Sequence, residues 1–464
     1  MNRPAQALFA WIALGVSTGL GGCNKGSEVE PRDSAGSAAG AAAGSGEPDN
    51  PHTGSDGGGH RVVGDSEFTV EYQRADELDP DAPGTVFIVT WSVDLPSADS
   101  AFIEFGPDTD YGTIAPVDLS EPDYRTLLLG MNPSSTYEFR IVATSGGTQY
   151  ASQNHQIETG AATNLVTVSD FEVIDEAAHE PGFIVTSVGD TAVIIGPDGD
   201  IVWWHESTVA ELVTAARMSD DGKSMWLAPR HTDASAMETL PLERVSMDTL
   251  EVQVYEGTAV SHDLTPVSGE TMAFIDHGSW GGACTDSVLE IDNSGATREV
   301  FRAWEYLDGC HINAVRYNAT EDVYTVSDRS STIFVVNRDG EVQWRLSDVV
   351  SNASYGENQH GHHLLQDEIL ILANSAASST TLALGYSRVD GSPTYEYDGG
   401  EFTNILGTVQ RLPGGTTMVT YSNAGAIHEA DLEGNTVMRL QTSLMGYAAW
   451  RADLYGPASD VNTW

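Results

Sequence analysis

Three histidines, His262, His311 and His360, stand 49 residues apart in both intervals. Each opens a similar phrase: His262-Asp263-Leu264, His311-Ile312-Asn313 and His360-Gly361-His362. Equal spacing over so long a span marks a repeated structural unit, with the three imidazoles at one place in three successive units. A ring of such units aims them at a common axis. Neutral imidazoles converging on one cavity suit nucleophilic and acid–base chemistry, or a metal. The next step of 49 falls on Val409, which carries no imidazole. The expected cavity is therefore asymmetric, whereas a residue kept for the architecture of the repeat would recur in every unit.

A cation accompanies the set. His311 is followed by Asn313 and then by Ser327-Asp328-Arg329. If Asn313 and Arg329 lie on adjacent strands, Arg329 reaches the cavity beside His311, and its planar fork matches sulfonate or phosphate oxygens. The competing expectation is a turn residue paired with Asp328. Gln359-His360-Gly361-His362-His363 offers three histidines, so the nucleophile is not unique in sequence. The register favours His360, with His362 next. His277, near Trp280, reads as rim packing. Trp203, Trp204 and Trp344 read as core aromatics, and His205 and His428 receive no role.

The elements that must position these residues are strands. From about 165 to 455, short apolar runs restart after polar turns such as Pro197-Asp198-Gly199-Asp200, Met247-Asp248-Thr249, Asn293-Ser294-Gly295, Arg338-Asp339-Gly340, Val389-Asp390-Gly391 and Leu432-Glu433-Gly434. Six turns separated by about 43–51 residues match the period of a four-stranded propeller blade. Sustained helical periodicity is lacking. The expected fold is all-β, with a six-bladed β-propeller over 165–458; five or seven blades fit the count less well. Residues 65–160 alternate like a small β-sandwich, with strands at Val86–Trp91 and Phe102–Gly106. There, Trp91 and the run Asn132-Pro133 to Tyr137 resemble the fibronectin type III pattern of a core tryptophan and a tyrosine-tied corner.

The N-terminus reads as an export signal. Arg3 precedes the short apolar run Ala5–Val16, and Leu20-Gly21-Gly22-Cys23 resembles a bacterial lipobox, which implies cleavage before Cys23 and its acylation. Residues 24–64, rich in Gly, Ala, Ser and acids, bury too little apolar surface to order and read as a linker. In an exported chain the two remaining cysteines, Cys284 and Cys310, most simply form a disulfide. No C-x-x-C spacing supports a metal role for Cys310. The expected location is the bacterial cell envelope, with the chain held at the membrane by its lipid. A net charge of −47 excludes nucleic acid as a partner and demands local cations wherever an anion binds.

In order along the chain, His262-Asp263, His311-Ile312-Asn313-Ala314-Val315, Ser327-Asp328-Arg329 before Gly340-Glu341-Val342-Gln343-Trp344, and Gln359-His360 with Leu364-Leu365 and Asn374 resemble the bacterial arylsulfate sulfotransferases that work without the nucleotide sulfate donor. Ser330 departs from the His or Gln common after that family's arginine. The resemblance implies a sandwich-plus-propeller fold and aryl sulfate and phenol substrates. It also implies a sulfohistidine on His360, with His262 as acid–base. His311 and Arg329 would take sulfonate charge, Asn313 and His362 would contact substrate, and no metal or cofactor is called for. The competing expectations are a non-catalytic surface propeller that binds a glycan or protein, and a quinone-cofactor dehydrogenase. The latter lacks a vicinal cysteine pair.

Overall fold

The computed structural model describes residues 66–163, 166–230, 240–277, 284–330, 332–351, 358–375 and 379–456. The export signal with Cys23, the linker and Trp280 lie outside them. The regular elements described are nearly all strands. Helix is confined to the turn Ala75–Leu78 and three 3-10 turns.

Two sheets form the N-terminal sandwich. One joins Phe68–Arg74, Phe87–Val93 and Thr126–Leu128; the other joins Thr113–Pro116, Ser100–Gly106 and Thr136–Ser145, with Thr148–Ala151 and His155–Glu158 both on the last strand. Alternate residues point inward, so Val89, Trp91, Ile103, Phe105, Phe139 and Ile141 fill one core. The Tyr137 hydroxyl accepts the Asn132 amide at 2.9 Å and fixes the corner. Nothing in this core could do chemistry.

The propeller strands run from Asp170–Val173 to Ala449–Arg451. They group as four-stranded antiparallel units. In unit one, the C-terminal strand Ala449–Arg451 lies inside Phe183–Val188, Thr191–Ile195 and Ile201–Glu206. Units two and three share the long strand Val252–Ser268, which is outermost in one and innermost in the next, giving a seven-stranded sheet from Leu212–Met218 to Thr297–Arg302. Unit four spans Ile312–Asn318 to Val342–Arg345, and unit five Gln359–Leu364 to Pro393–Tyr397. Unit six spans Thr408–Arg411 to Thr436–Gln441 and gains Asp170–Val173 at its outer edge. Both ends of the propeller chain thus complete units begun by the other end. From unit two to unit six each innermost strand packs on the next, that of unit six packs on Ala449–Arg451, and Phe183–Val188 of unit one packs on Leu212–Met218.

Second and third strands are sandwiched between units and largely buried, as in Thr191–Ile195, buried at all five positions. The polar turns sit at outer corners. At Pro197-Asp198-Gly199-Asp200 the Gly196 amide bonds the Asp200 carbonyl at 2.8 Å, and Gly199 takes φ +81°. Only glycine fits there, since a Cβ would lie 2.7 Å from the Phe171 ring. The sandwich docks on units one and two through Ala75, Val86 and Leu129, which share a core with Val185, Trp203 and Val213. Tyr455 clasps it by accepting the Leu129 amide at 2.8 Å.

Candidate functional site

The innermost strands of units two to five share a defect. Their pairing with the second strand slips between Val213 and Ala215, Ser261 and Leu264, Ile312 and Ala314, and Gln359 and His362. These are β-bulges, which bend a strand and re-aim its side chains. His262, Asn313 and His360 sit in three of them, and His311 directly precedes one. His262 has φ +59°, a left-handed conformation that costs a non-glycine residue about 1–3 kcal/mol and collects at functional sites. Gly361 follows His360 because the unit-six strand passes too close for a side chain: a Cβ would lie 2.5 Å from the Gly407 carbonyl oxygen.

Antiparallel pairing does the rest. The start of an innermost strand lies beside the end of its second strand, as Val260 pairs with Asp276 and Ile312 with Asp328. The second strands of units two, three and five end at Arg230, His277 and Ser375, and Arg329 directly follows that of unit four. One end of the propeller therefore collects His262, His311 and His360 together with Arg230, His277, Arg329 and Asn374.

Within this cluster His262 Nε2 lies 3.2 Å from His311 Nε2. The rings of His262, His277 and His311 stand 4.9–5.8 Å apart, centre to centre. Ser261 Oγ is 2.6 Å from His262 Nδ1, and Asp286 is 3.3 Å from His277 Nδ1. Two carboxylates hold the His311 backbone: Asp328 accepts the His311 amide at 2.7 Å and Asp286 the Ile312 amide at 2.9 Å. Cys284 and Cys310 are disulfide-bonded, Cα to Cα 5.1 Å, and staple the chain just before His311.

His360 is positioned from behind. Its Nδ1 lies 2.9 Å from Asn374 Oδ1, while Asn374 Nδ2 donates to the carbonyls of Thr403 and Leu406. Those donations turn the amide oxygen toward the ring, so His360 Nδ1 carries the proton and Nε2 keeps its lone pair. Asn313 is fully buried and donates to the Gln359 carbonyl at 2.6 Å, tying unit four to the strand that carries His360. Arg329 is exposed. Its Nε donates to Asn358 Oδ1 at 2.7 Å. The Asp328 carboxylate is engaged by the backbone amides of His311 and Ser330 instead. Arg329 is thus no ion-pair partner of Asp328.

Electrostatics keep these imidazoles neutral. Burial lowers His360 to about 4, with Arg329 adding to it against the bond from Asn374. Burial, then His277, Arg329, His360 and Arg230, lower His311 to about 3. His277 falls to about 4 through burial and Arg230. His262 lies well below its ordinary value for the same first reason, with His311 next. Arg230 is itself pushed down by burial. A neutral imidazole with a bare nitrogen is a nucleophile or base; an imidazolium is neither. Among the described residues no group of three or more His, Cys, Asp or Glu is arranged to hold a metal ion.

The structure separates His362 from this set. Its Nε2 lies 2.7 Å from Thr325 Oγ1 and its neighbours are Arg316 and His363, further along the channel. An even count of 49 also misses the level of His360 in unit six. The Gly361 amide bonds the Gly407 carbonyl, so Leu406 and Gly407 flank His360, while Val409 packs in a core. Sequence reasoning undervalued His277, expected at the rim, and missed Arg230. The available signal was their place at the ends of second strands, one step from where Arg329 stands.

Residues 149–354 match the model of the arylsulfotransferase (ASST) family. That stretch holds His262, His277, His311, Asn313 and Arg329; His360 and Asn374 follow it. The match bears out the likeness read from the motifs. None of the curated proteins matches the chain. Similar solved structures include a protein of unknown function from Bacteroides caccae, with 11% identity and TM-score 0.41, covering 58% of this chain and 99% of that one. Another is virginiamycin B lyase from Staphylococcus aureus, with 13% identity and TM-score 0.38, covering 58% and 87%. A third is the Cps50 (Swd1) β-propeller domain from Myceliophteria thermophila, with 10% identity and TM-score 0.39, covering 62% and 96%.

Proposed function

We propose that this arylsulfotransferase-like domain moves a sulfuryl group from an aryl sulfate to a phenol through a covalent sulfohistidine on His360. The observation that carries the reading is a buried, neutral His360. Asn374 holds its Nδ1–H, and Arg329 and the His262–His311 pair lie in its electrostatic range.

In the first half-reaction the His360 Nε2 lone pair attacks sulfur, and the bond from sulfur to the aryl oxygen breaks. The departing oxygen leaves as a phenolate, its charge met by Arg329 and Arg230, and takes its proton from solvent; the neutral His262–His311 pair, joined Nε2 to Nε2, is a base and not an acid. Positive charge grows on the His360 ring as the N–S bond forms, and the Asn374 oxygen stabilises the increasingly acidic Nδ1–H. In the second half, a phenol loses its proton to the same pair, its oxygen bonds sulfur, and the N–S bond breaks. The transferring group resembles a phosphoryl group in spreading charge over three oxygens, so positioned cations do most of the catalytic work. Arg329 and Arg230 supply that charge in a chain whose overall field repels anions.

Acylation at Cys23 and retention at the cell envelope belong to the same proposal, on the strength of the Leu20-Gly21-Gly22-Cys23 phrase. The test is a chromogenic aryl sulfate with and without a phenol acceptor. Chromophore release that requires the acceptor, together with a donor-treated protein heavier by one sulfuryl group on the peptide holding His360, supports the reading. Release into water alone makes the protein a sulfatase. No release with any of a panel of donors leaves a binding propeller.

A further inference from the structure

The channel does not end at the histidines. Beyond the bulges the same strands continue through Thr265, Arg316 and His362, and these line a second cavity of about 140 Å³ with Arg217, Thr408 and Gln410. A buried layer divides it from the histidine cluster. Tyr447 donates to the Asn313 carbonyl at 2.6 Å, and Asp263 sits beneath, ion-paired to both Arg217 and Arg316.

The charge in that layer is unequal. Two guanidinium groups share one fully buried carboxylate. Buried Arg451 answers to Asp453 and then to Asp220, the other carboxylate of the wall. The surplus is therefore confined to the surroundings of Asp263, where two guanidinium groups face one carboxylate in a protein of net charge −47. The wall also carries unanswered polar atoms. Arg316 Nη2, His362 Nδ1 and Thr408 Oγ1 are buried without a hydrogen-bond partner among the described residues. Buried polar atoms without partners are rare and mark a missing water, ion or ligand. A cavity this size holds several waters or one small oxyanion. Water satisfies the unpaired donors but leaves the surplus charge uncompensated; an oxyanion answers both.

We infer that this second chamber is a binding site for a small oxyanion of the sulfate class, gripped by Arg316 and Thr408 and separate from the transfer site. The inference stands independently of the proposed reaction, because none of its ligands is a residue assigned to that chemistry.

Selenate is the probe, as a sulfate mimic located by anomalous scattering in crystals of the protein. The expected result is a peak between Arg316 and Thr408. In solution, sulfate titrated against chloride at equal ionic strength should raise the melting temperature saturably, in His360→Ala and Arg329→Gln as in the parent. Thr408→Val removes only an unpartnered hydroxyl at nearly constant volume and should weaken sulfate binding about tenfold, or about 1.4 kcal/mol. Arg316→Gln should abolish the response. A selenate peak confined to the histidine end, a response lost in Arg329→Gln, one indifferent to Thr408→Val, or no saturable response would each overturn the inference.

Discussion

Units two to five and units one and six are built on the same four-stranded plan, yet the histidine–arginine cluster is drawn from the first group. The difference lies in one extra residue of backbone in units two, four and five and two in unit three. In units two to five the innermost strand bulges where it enters the channel. In units one and six the innermost pairs, Phe183–Val188 with Ala449–Arg451 and Thr408–Arg411 with Thr417–Tyr421, stay in register. The regular pairs close the ring and bury apolar residues such as Val409 and Val419. The bulged ones turn side chains toward one another across unit boundaries. A repeat fold thus makes an asymmetric site by local departures from its own regularity, on a scaffold whose cores are otherwise alike.

The sharpest way to break the comparison is to delete what the bulges aim. His360→Ala should lower sulfuryl transfer by about 1000-fold or more, read as acceptor-dependent chromophore release. Asn374→Ala leaves the nucleophile present but frees its tautomer. The expected result is a fall in kcat of about 100-fold with KM little changed. Equal losses in both residues' variants would mean that Asn374 does more than orient the ring.

Next in size come the constraints on the bulged strands. Gly361→Ala drives a methyl into the Gly407 carbonyl and should cost about 2–3 kcal/mol, seen as a lower urea midpoint. Removing the Cys284–Cys310 bond, which closes a segment of 26 residues, should cost about 3 kcal/mol and loosen the approach to His311. Reduction with dithiothreitol followed by thermal melting checks this.

The pH response is smaller and has a definite sign. His277, His311 and His360 have folded values of about 4, 3 and 4 against an ordinary 6.5. Between pH 6.5 and about 4 the unfolded chain binds protons that the folded chain refuses. Their contribution to stability is therefore full above about pH 6.5 and lost as pH falls toward 4. The slope of the urea midpoint over that window should flatten in His277→Gln. The smallest effect belongs to the sandwich. Tyr137→Phe removes the hydroxyl that accepts the Asn132 amide and should cost about 1 kcal/mol with transfer unchanged, as measured by melting and by chromophore release.

Much was legible in the chain. Periodic polar turns and alternating apolar runs define an all-β repeat, because a strand's period of two and a blade's length leave direct traces in sequence. The even interval between His262, His311 and His360 exposed one place in three units, and the residue types there limited the chemistry. Contacts across units left no such trace. His362 lies two positions from His360 and looks equivalent on paper, but the slip between Gln359 and His362 sends it into another chamber. Arg230 and His277 join the site because antiparallel pairing sets the end of one strand beside the start of another. The proton on His360 Nδ1 depends on where Asn374 directs its amide, and that depends on carbonyls of Thr403 and Leu406, some 30 residues further on. Local periodicity is written in order along the chain; proximity, burial and protonation arise only when the units close on one another.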